Sequence, residues 1–140
     1  MLRLNPGDNQ GIRYALLDLF LETGKVRDAR DLIDQFPNDA AAAWIYSKAL
    51  LKFIREGSNP KTDKRLIIAF ERNPFVPLYL LGIKQLPKRL PETVGLGDEL
   101  EAVDYVAGSM QVWHETPGVL EWLARVFFML AGPKDKKPAS

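Results

Sequence analysis

Gly24-Lys25-Val26-Arg27-Asp28-Ala29 returns further along the chain as Gly97-Asp98-Glu99-Leu100-Glu101-Ala102: a glycine, four mostly polar residues and an alanine. Each phrase lies between stretches whose apolar residues recur at helical spacing. Gly57 follows Gly24 by 33 residues, and Asn5-Pro6 returns as Asn73-Pro74 after 68, which is twice 34. A period near 34, with a glycine turn inside the unit and Asn-Pro at its seam, is the pattern of stacked helical hairpins. A lone amphipathic hairpin leaves part of its apolar stripe in water. Stacking buries that stripe, provided that small residues stand where helices cross. Ala29, Ala49, Ala69 and Ala102 take those crossing points. The expected fold is all-α: a helical-hairpin solenoid of about three divergent units and seven helices. It covers residues 1–132, with a disordered polar tail expected at 133–140.

The helices read as follows. Asp8 or Asn9 caps the first, whose inner stripe is Ile12, Ala15, Leu16 and Leu19 and which ends at Gly24. The second, about 25–35, buries Val26, Ala29, Leu32 and Ile33 and stops at Phe36-Pro37, because a proline disfavours helix at the preceding residue. Asp39 caps the third, which buries Tyr46, Ala49, Leu50 and Phe53 and stops at Gly57. Asn59 caps the fourth with Pro60 at its first position, ahead of Leu66, Ile67, Ala69 and Phe70. Pro77 opens a short fifth helix, and 84–97, broken by Pro87, Pro91 and Gly95, reads as an ordered loop. Asp98 and Glu101 form a capping pair for the sixth, with Ala102, Val103, Val106 and Met110 inward. Thr116-Pro117 opens a seventh that ends at Gly132.

The second unit resembles a tetratricopeptide repeat. With Gly57 as its inter-helix glycine, Tyr46, Ala49, Leu50 and Phe53 match the first-helix positions, and Ala69 and Pro74 match the alanine and proline of that consensus. Thr62 stands where the consensus has alanine, the first unit's second helix is one turn short, and the third unit is stretched after Gly82. The opening Leu2-Arg3-Leu4-Asn5-Pro6 looks like the end of a preceding repeat, which implies an upstream hairpin. A narrower resemblance is carried by residues 5–14, 73–82, 86–91 and Thr116-Pro117-Gly118. These phrases are similar to the suppression-of-tumorigenicity-seven family and its bacterial relatives. That resemblance implies a tetratricopeptide-like fold and no chemistry.

The bulk numbers fit a single domain. At 140 residues the chain is long enough for its own core, and 46% apolar and 26% charged residues are ordinary for a globular protein. A net charge of +1 supplies no global field toward nucleic acid or membrane. The lack of cysteine removes disulfides, thiolate metal sites and cysteine nucleophiles, and fits a reducing, cytoplasmic setting. The most apolar run, Val119 to Ala131, carries Glu121 and Arg125 and falls short of the roughly 20 residues a membrane span needs.

Catalytic patterns are weak. His114, the only histidine, has beside it Glu115 and no serine in a nucleophile turn; a surface residue near a helix end explains it. Asp98, Glu99 and Glu101 cluster, but a helix first turn favours carboxylates by itself, so no metal or cofactor is expected. Asp28, Asp31 and Asp34 read as a solvated face offset by Arg27 and Arg30. Lys84, Lys88 and Arg89 make a basic loop without an aromatic for stacking, which argues against nucleic acid.

The remaining candidate is a groove. In the tetratricopeptide register Gln10, Arg13, Trp44, Ser47 and Arg55 face the concave side, and tryptophan beside arginine is the composition of a peptide anchor site. The expected function is a non-enzymatic adaptor or scaffold that binds a protein or peptide in that groove. Two alternatives stand. One is a self-assembly segment of a larger protein, dimerising through its apolar terminal helices: Trp113, Trp122, Phe127 and Phe128 read as core and end-cap or as a dimer contact, and the run Phe127-Phe128-Met129-Leu130 leaves at least one large apolar side chain facing outward on any helix. The other, with less behind it, is RNA binding through the basic loop.

Overall fold

The computed structural model describes residues 6–89 and 97–136, with side chains described for 12–89 and 97–130. The helices are α1 (Pro6–Glu22), α2 (Val26–Gln35), α3 (Ala42–Glu56), α4 (Pro60–Arg72), α5 (Val76–Leu80), α6 (Glu99–Glu115) and α7 (Val119–Lys136). The described residues contain no strand, and no helix among them is long and apolar enough to cross a membrane.

One local device appears three times. Gly24, Gly57 and Gly97 have φ of +75°, +77° and +82°, and the residues five positions later, Ala29, Thr62 and Ala102, are completely buried. At Gly57 the reason is clear: α3 ends there, its N–H donates to the Phe53 carbonyl at 2.7 Å, and the left-handed backbone turns the chain into α4. The Asn59 side chain then accepts from the Lys61 and Thr62 N–H groups, and the Thr62 hydroxyl accepts from the Asn59 N–H at 2.9 Å. Thr62 thus stands where the other two turns have Ala29 and Ala102 without leaving its own hydroxyl unpaired, since the hydroxyl also lies 2.9 Å from the Gly57 carbonyl.

Helix α6 is the centre of the packing. It lies against α5 and α7, and also across α1 and α3. Hairpins stacked in single file touch only their neighbours, so the contact of α6 with α1 means that the third hairpin folds back over the first. The shared core is aromatic: Tyr46 of α3 meets Phe70, Tyr105 and Trp113 with ring centroids 5.9–6.4 Å apart. A second stack, Phe53 on Trp122 at 4.6 Å, ties α3 to α7, and the Trp122 indole donates to Asp63 of α4 at 2.7 Å.

The fold is pinned by a buried carboxylate. Glu101 accepts from the Ala42 N–H at the start of α3 (2.7 Å), from the Asn73 side chain after α4 (3.0 Å) and from the Gly97 N–H before its own helix (2.7 Å). Asn73, itself fully buried, also donates to the Asp98 carbonyl and accepts the Phe75 N–H on its side chain, while its carbonyl accepts the Tyr46 hydroxyl at 2.6 Å. The Asn73-Pro74 seam is therefore a junction of α3, α4 and α6.

Four sequence expectations change. The stripe of α1 is Leu17 and Leu21, flanked by Tyr14, Leu16 and Phe20, while Ile12, Ala15 and Leu19 point outward. The helix is apolar over much of its circumference, so spacing alone allowed two stripes, and packing against both α2 and α6 selected the other. Asp39 is not the α3 cap: Ala41 holds that position, and Glu101 serves the first turn from a distance. Thr116 closes α6, its hydroxyl donating to the Val112 carbonyl at 2.7 Å, and α7 starts at Val119 and continues past Gly132 to Lys136. Asp8 and Asn9 lie inside α1, which is already helical at Pro6. Asn5, residues 90–96 of the expected 84–97 loop and residues 137–140 fall outside the described residues.

Two glycine substitutions separate turn from helix. Gly57→Ala is expected to cost about 1 kcal/mol, because an L side chain at positive φ is strained. Gly108→Ala, inside α6 with only an ordinary 3.5 Å contact to the Asp18 carboxylate, is expected to stabilise by about 0.5–1 kcal/mol. Urea unfolding midpoints of the two variants would check both signs.

Candidate functional site

A hollow of about 760 Å³ lies where the first half of α1, the α2–α3 connection and the start of α6 meet. One wall is a compact knot. Arg13 donates through Nε and Nη2 to the same Asp39 oxygen (3.1 and 2.8 Å), the Tyr14 hydroxyl donates to Asp39 at 2.9 Å, and Asp39 accepts the Ala41 N–H at 2.9 Å. The Arg13 guanidinium lies 4.0 Å from the Phe36 ring centre and 5.6 Å from that of Trp44. Burial and the Asp39 carboxylate push the Tyr14 phenol up to about 12, so it stays a donor.

The opposite wall is α6, with Glu101, Asp104 and Tyr105. Arg13 is neutralised by Asp39, so Glu101 and Asp104 leave the lining net negative. Burial, and then the neighbouring Glu101, raise the Asp104 pKa. Deeper between α1 and α6, burial pushes the Asp18 carboxyl up to about 7, with Glu22 and Asp104 adding repulsion. Burial likewise pushes Tyr105, next to Ser47 and Trp113, up to about 12.

The five groove residues expected from sequence part company. Gln10 lies on α1, its side chain outside the described residues. Arg13 borders the hollow, held by Asp39. Trp44 is not an exposed anchor: it is completely buried, its indole donating to the Phe36 carbonyl at 3.0 Å. Ser47 is also buried, beneath α6, with its Oγ 3.2 Å from the Tyr105 hydroxyl. Arg55 stands eleven residues beyond Trp44, about 16 Å along α3 at the helical rise, in a different cleft with Arg30, Lys48 and Arg65. The trough that those positions would line in an open stack is occupied at Ser47 by α6.

The other candidates resolve into structural roles. Asp98 caps α6 by accepting the Glu101 N–H at 2.8 Å. Glu99 accepts from the Tyr79 hydroxyl at 2.6 Å and pairs with Lys84, which takes one charge from the basic loop. The exposed His114 ring sits 3.3 Å from the Leu80 carbonyl at an α5–α6 contact. No group of three or more metal-ligating side chains is assembled among the described residues. Sequence reading missed Asp18 and Asp104. Their signal was faint: two carboxylates on helices 86 residues apart meet only because α6 folds back.

No protein-family model matches this chain, and neither a curated protein nor a solved structure matches it.

The Asp18 environment fixes a pH signature. Its folded pKa of about 7 exceeds the ordinary 3.8, so the folded state retains a proton that the unfolded chain releases. The associated stability is full below about pH 4 and is lost as pH rises through about 7. Asp18→Asn should therefore stabilise at pH 8, on the order of 1–2 kcal/mol once solvent screening is allowed for, and have little effect near pH 4. Thermal melts of both proteins across that range would show it.

Proposed function

We propose that the chain is a non-enzymatic protein-interaction module built from divergent tetratricopeptide-like hairpins, the third of which folds back so that α6 fills the middle of the trough. The three glycine turns, each followed five residues later by a fully buried small residue, support the repeat reading. The resemblance of residues 5–14 and 73–82 to the suppression-of-tumorigenicity-seven family remains part of this proposal.

The observation that carries the binding role is the 760 Å³ hollow at the mouth of that trough. It has one wall braced by the Arg13–Asp39 pair and another carrying Asp104, a carboxylate that makes no ion pair among the described residues. A braced concavity with an unneutralised carboxylate suits a protein segment that presents a lysine or arginine side chain. Such a segment gains a charge-assisted contact where α6 leaves the trough open.

The test is reconstitution with a partner recovered from the source cells and then purified. Asp104→Arg is expected to weaken that complex at least tenfold while leaving the melting temperature within a few degrees, since Asp104 lies at the exposed rim. A complex of undiminished affinity would contradict the reading.

A second reading, self-association through α7, is favoured by one observation. Phe128 and Met129 are 54% and 46% exposed, next to a half-exposed Leu130. It predicts a concentration-dependent dimer by light scattering that Phe128→Glu abolishes. Monomer at every concentration would remove it.

A further inference from the structure

Arg55, expected beside Trp44, instead joins a cleft of about 120 Å³ between α2, α3 and α4. Five cations line it: Arg30 from α2, Lys48, Lys52 and Arg55 from α3, and Arg65 from α4. The only lining anion is Asp34, and Lys52 is shared with Glu56 at 2.9 Å. Removing those two opposite charges leaves an excess of about three positive charges in one small concavity, on a chain whose total is +1. Arg30, Lys48, Arg55 and Arg65 make no ion pair among the described residues. Partial burial, and then the Arg65 guanidinium, lower the Lys48 pKa, against the opposing pull of the Asp34 and Asp39 carboxylates.

We propose that this cleft binds a phosphorylated side chain on a segment of a partner protein. Charge selects the group. An excess near three suits a dianionic phosphate monoester better than a single carboxylate, and guanidinium forks pair with its oxygens in parallel. Size sets the scale: at about 120 Å³ the cleft has room for one tetrahedral oxyanion and the carbon that bears it. No aromatic ring lines the cleft, so single-stranded nucleic acid finds no stacking surface. Its apolar lining, Ile33 and Leu51, is placed to receive the methylene or methyl group that carries the ester. The cleft draws on three helices of two successive hairpins, so the site exists only when the hairpins are docked. It is separate from the hollow beside α6, and Asp104→Arg touches none of its residues.

The test is a titration of the ¹⁵N-labelled full chain, followed by NMR, with a phosphoserine peptide flanked by alanines. Parallel arms use its serine and glutamate counterparts, inorganic phosphate, and a single-stranded RNA of similar length. The expected result is saturable shifts at the amides of Ile33, Lys48, Leu51 and Arg65. The phosphopeptide should bind at least tenfold tighter than the serine peptide and tighter than the glutamate peptide or free phosphate. Lys48→Gln combined with Arg65→Gln should abolish the difference, with an unchanged helical circular-dichroism spectrum, whereas Lys61→Gln, outside the cleft, should keep it. Equal binding of phosphorylated and unphosphorylated peptides, shifts centred elsewhere, or tighter binding of RNA would overturn the proposal. So would free phosphate binding as tightly as the peptide.

Discussion

The carboxylate of Glu101 is the constraint on which the rest of the structure depends. It is buried, and its partners are three donors from three separate parts of the chain: a backbone N–H that opens α3, the Asn73 side chain that closes α4, and the N–H of Gly97. A buried carboxylate persists only when such donors converge on it, because each lost partner leaves a desolvated group without compensation. The arrangement therefore fixes α6 relative to the first two hairpins. It also explains how α3 begins without a capping side chain of its own. Tyr46 extends the junction, since its hydroxyl reaches the Asn73 carbonyl while its ring packs on Tyr105 and Trp113 of α6.

Charge is segregated between two sides of the molecule. Where α6 meets α1, Asp18, Glu22 and Asp104 crowd one another, and the hollow above them is left negative. Along the other side of α3, Arg30, Lys48, Arg55 and Arg65 gather with a single carboxylate among them. A net charge of +1 conceals this segregation. The acidic contact is expected to weaken the fold above neutral pH, and sites that keep such charge without pairing it are more often used for recognition than for stability.

Much of the helical layout was legible in sequence, and the reasons are local. Gly57, Asn59 and Pro60 spell a helix stop and the next helix start within four residues, and the structure shows each acting in that role. Ala29, Ala49, Ala69 and Ala102 are all completely buried, as small residues in an apolar stripe are expected to be. The site was harder to read because its parts are assembled over distance. Asp39 has the spacing of a cap, yet its carboxylate is claimed by Arg13 and Tyr14, 25 or more residues away. Trp44 and Ser47 occupy groove positions only if nothing fills the groove, and no periodicity reports that α6 returns to cover Ser47. The recurrence of Asn-Pro was visible, but that Asn73 meets Glu101 depends on a contact across 28 residues.

The most direct test of this account is a double-mutant cycle in urea with Glu101→Leu, Asn73→Leu and the pair together. If Glu101 holds α6 to the first two hairpins through Asn73, each single variant loses about 3 kcal/mol or more. The pair then loses less than the sum, with a coupling of about 1–3 kcal/mol. Additive losses, or a Glu101→Leu protein within about 0.5 kcal/mol of the parent, would contradict the claim that this carboxylate organises the fold.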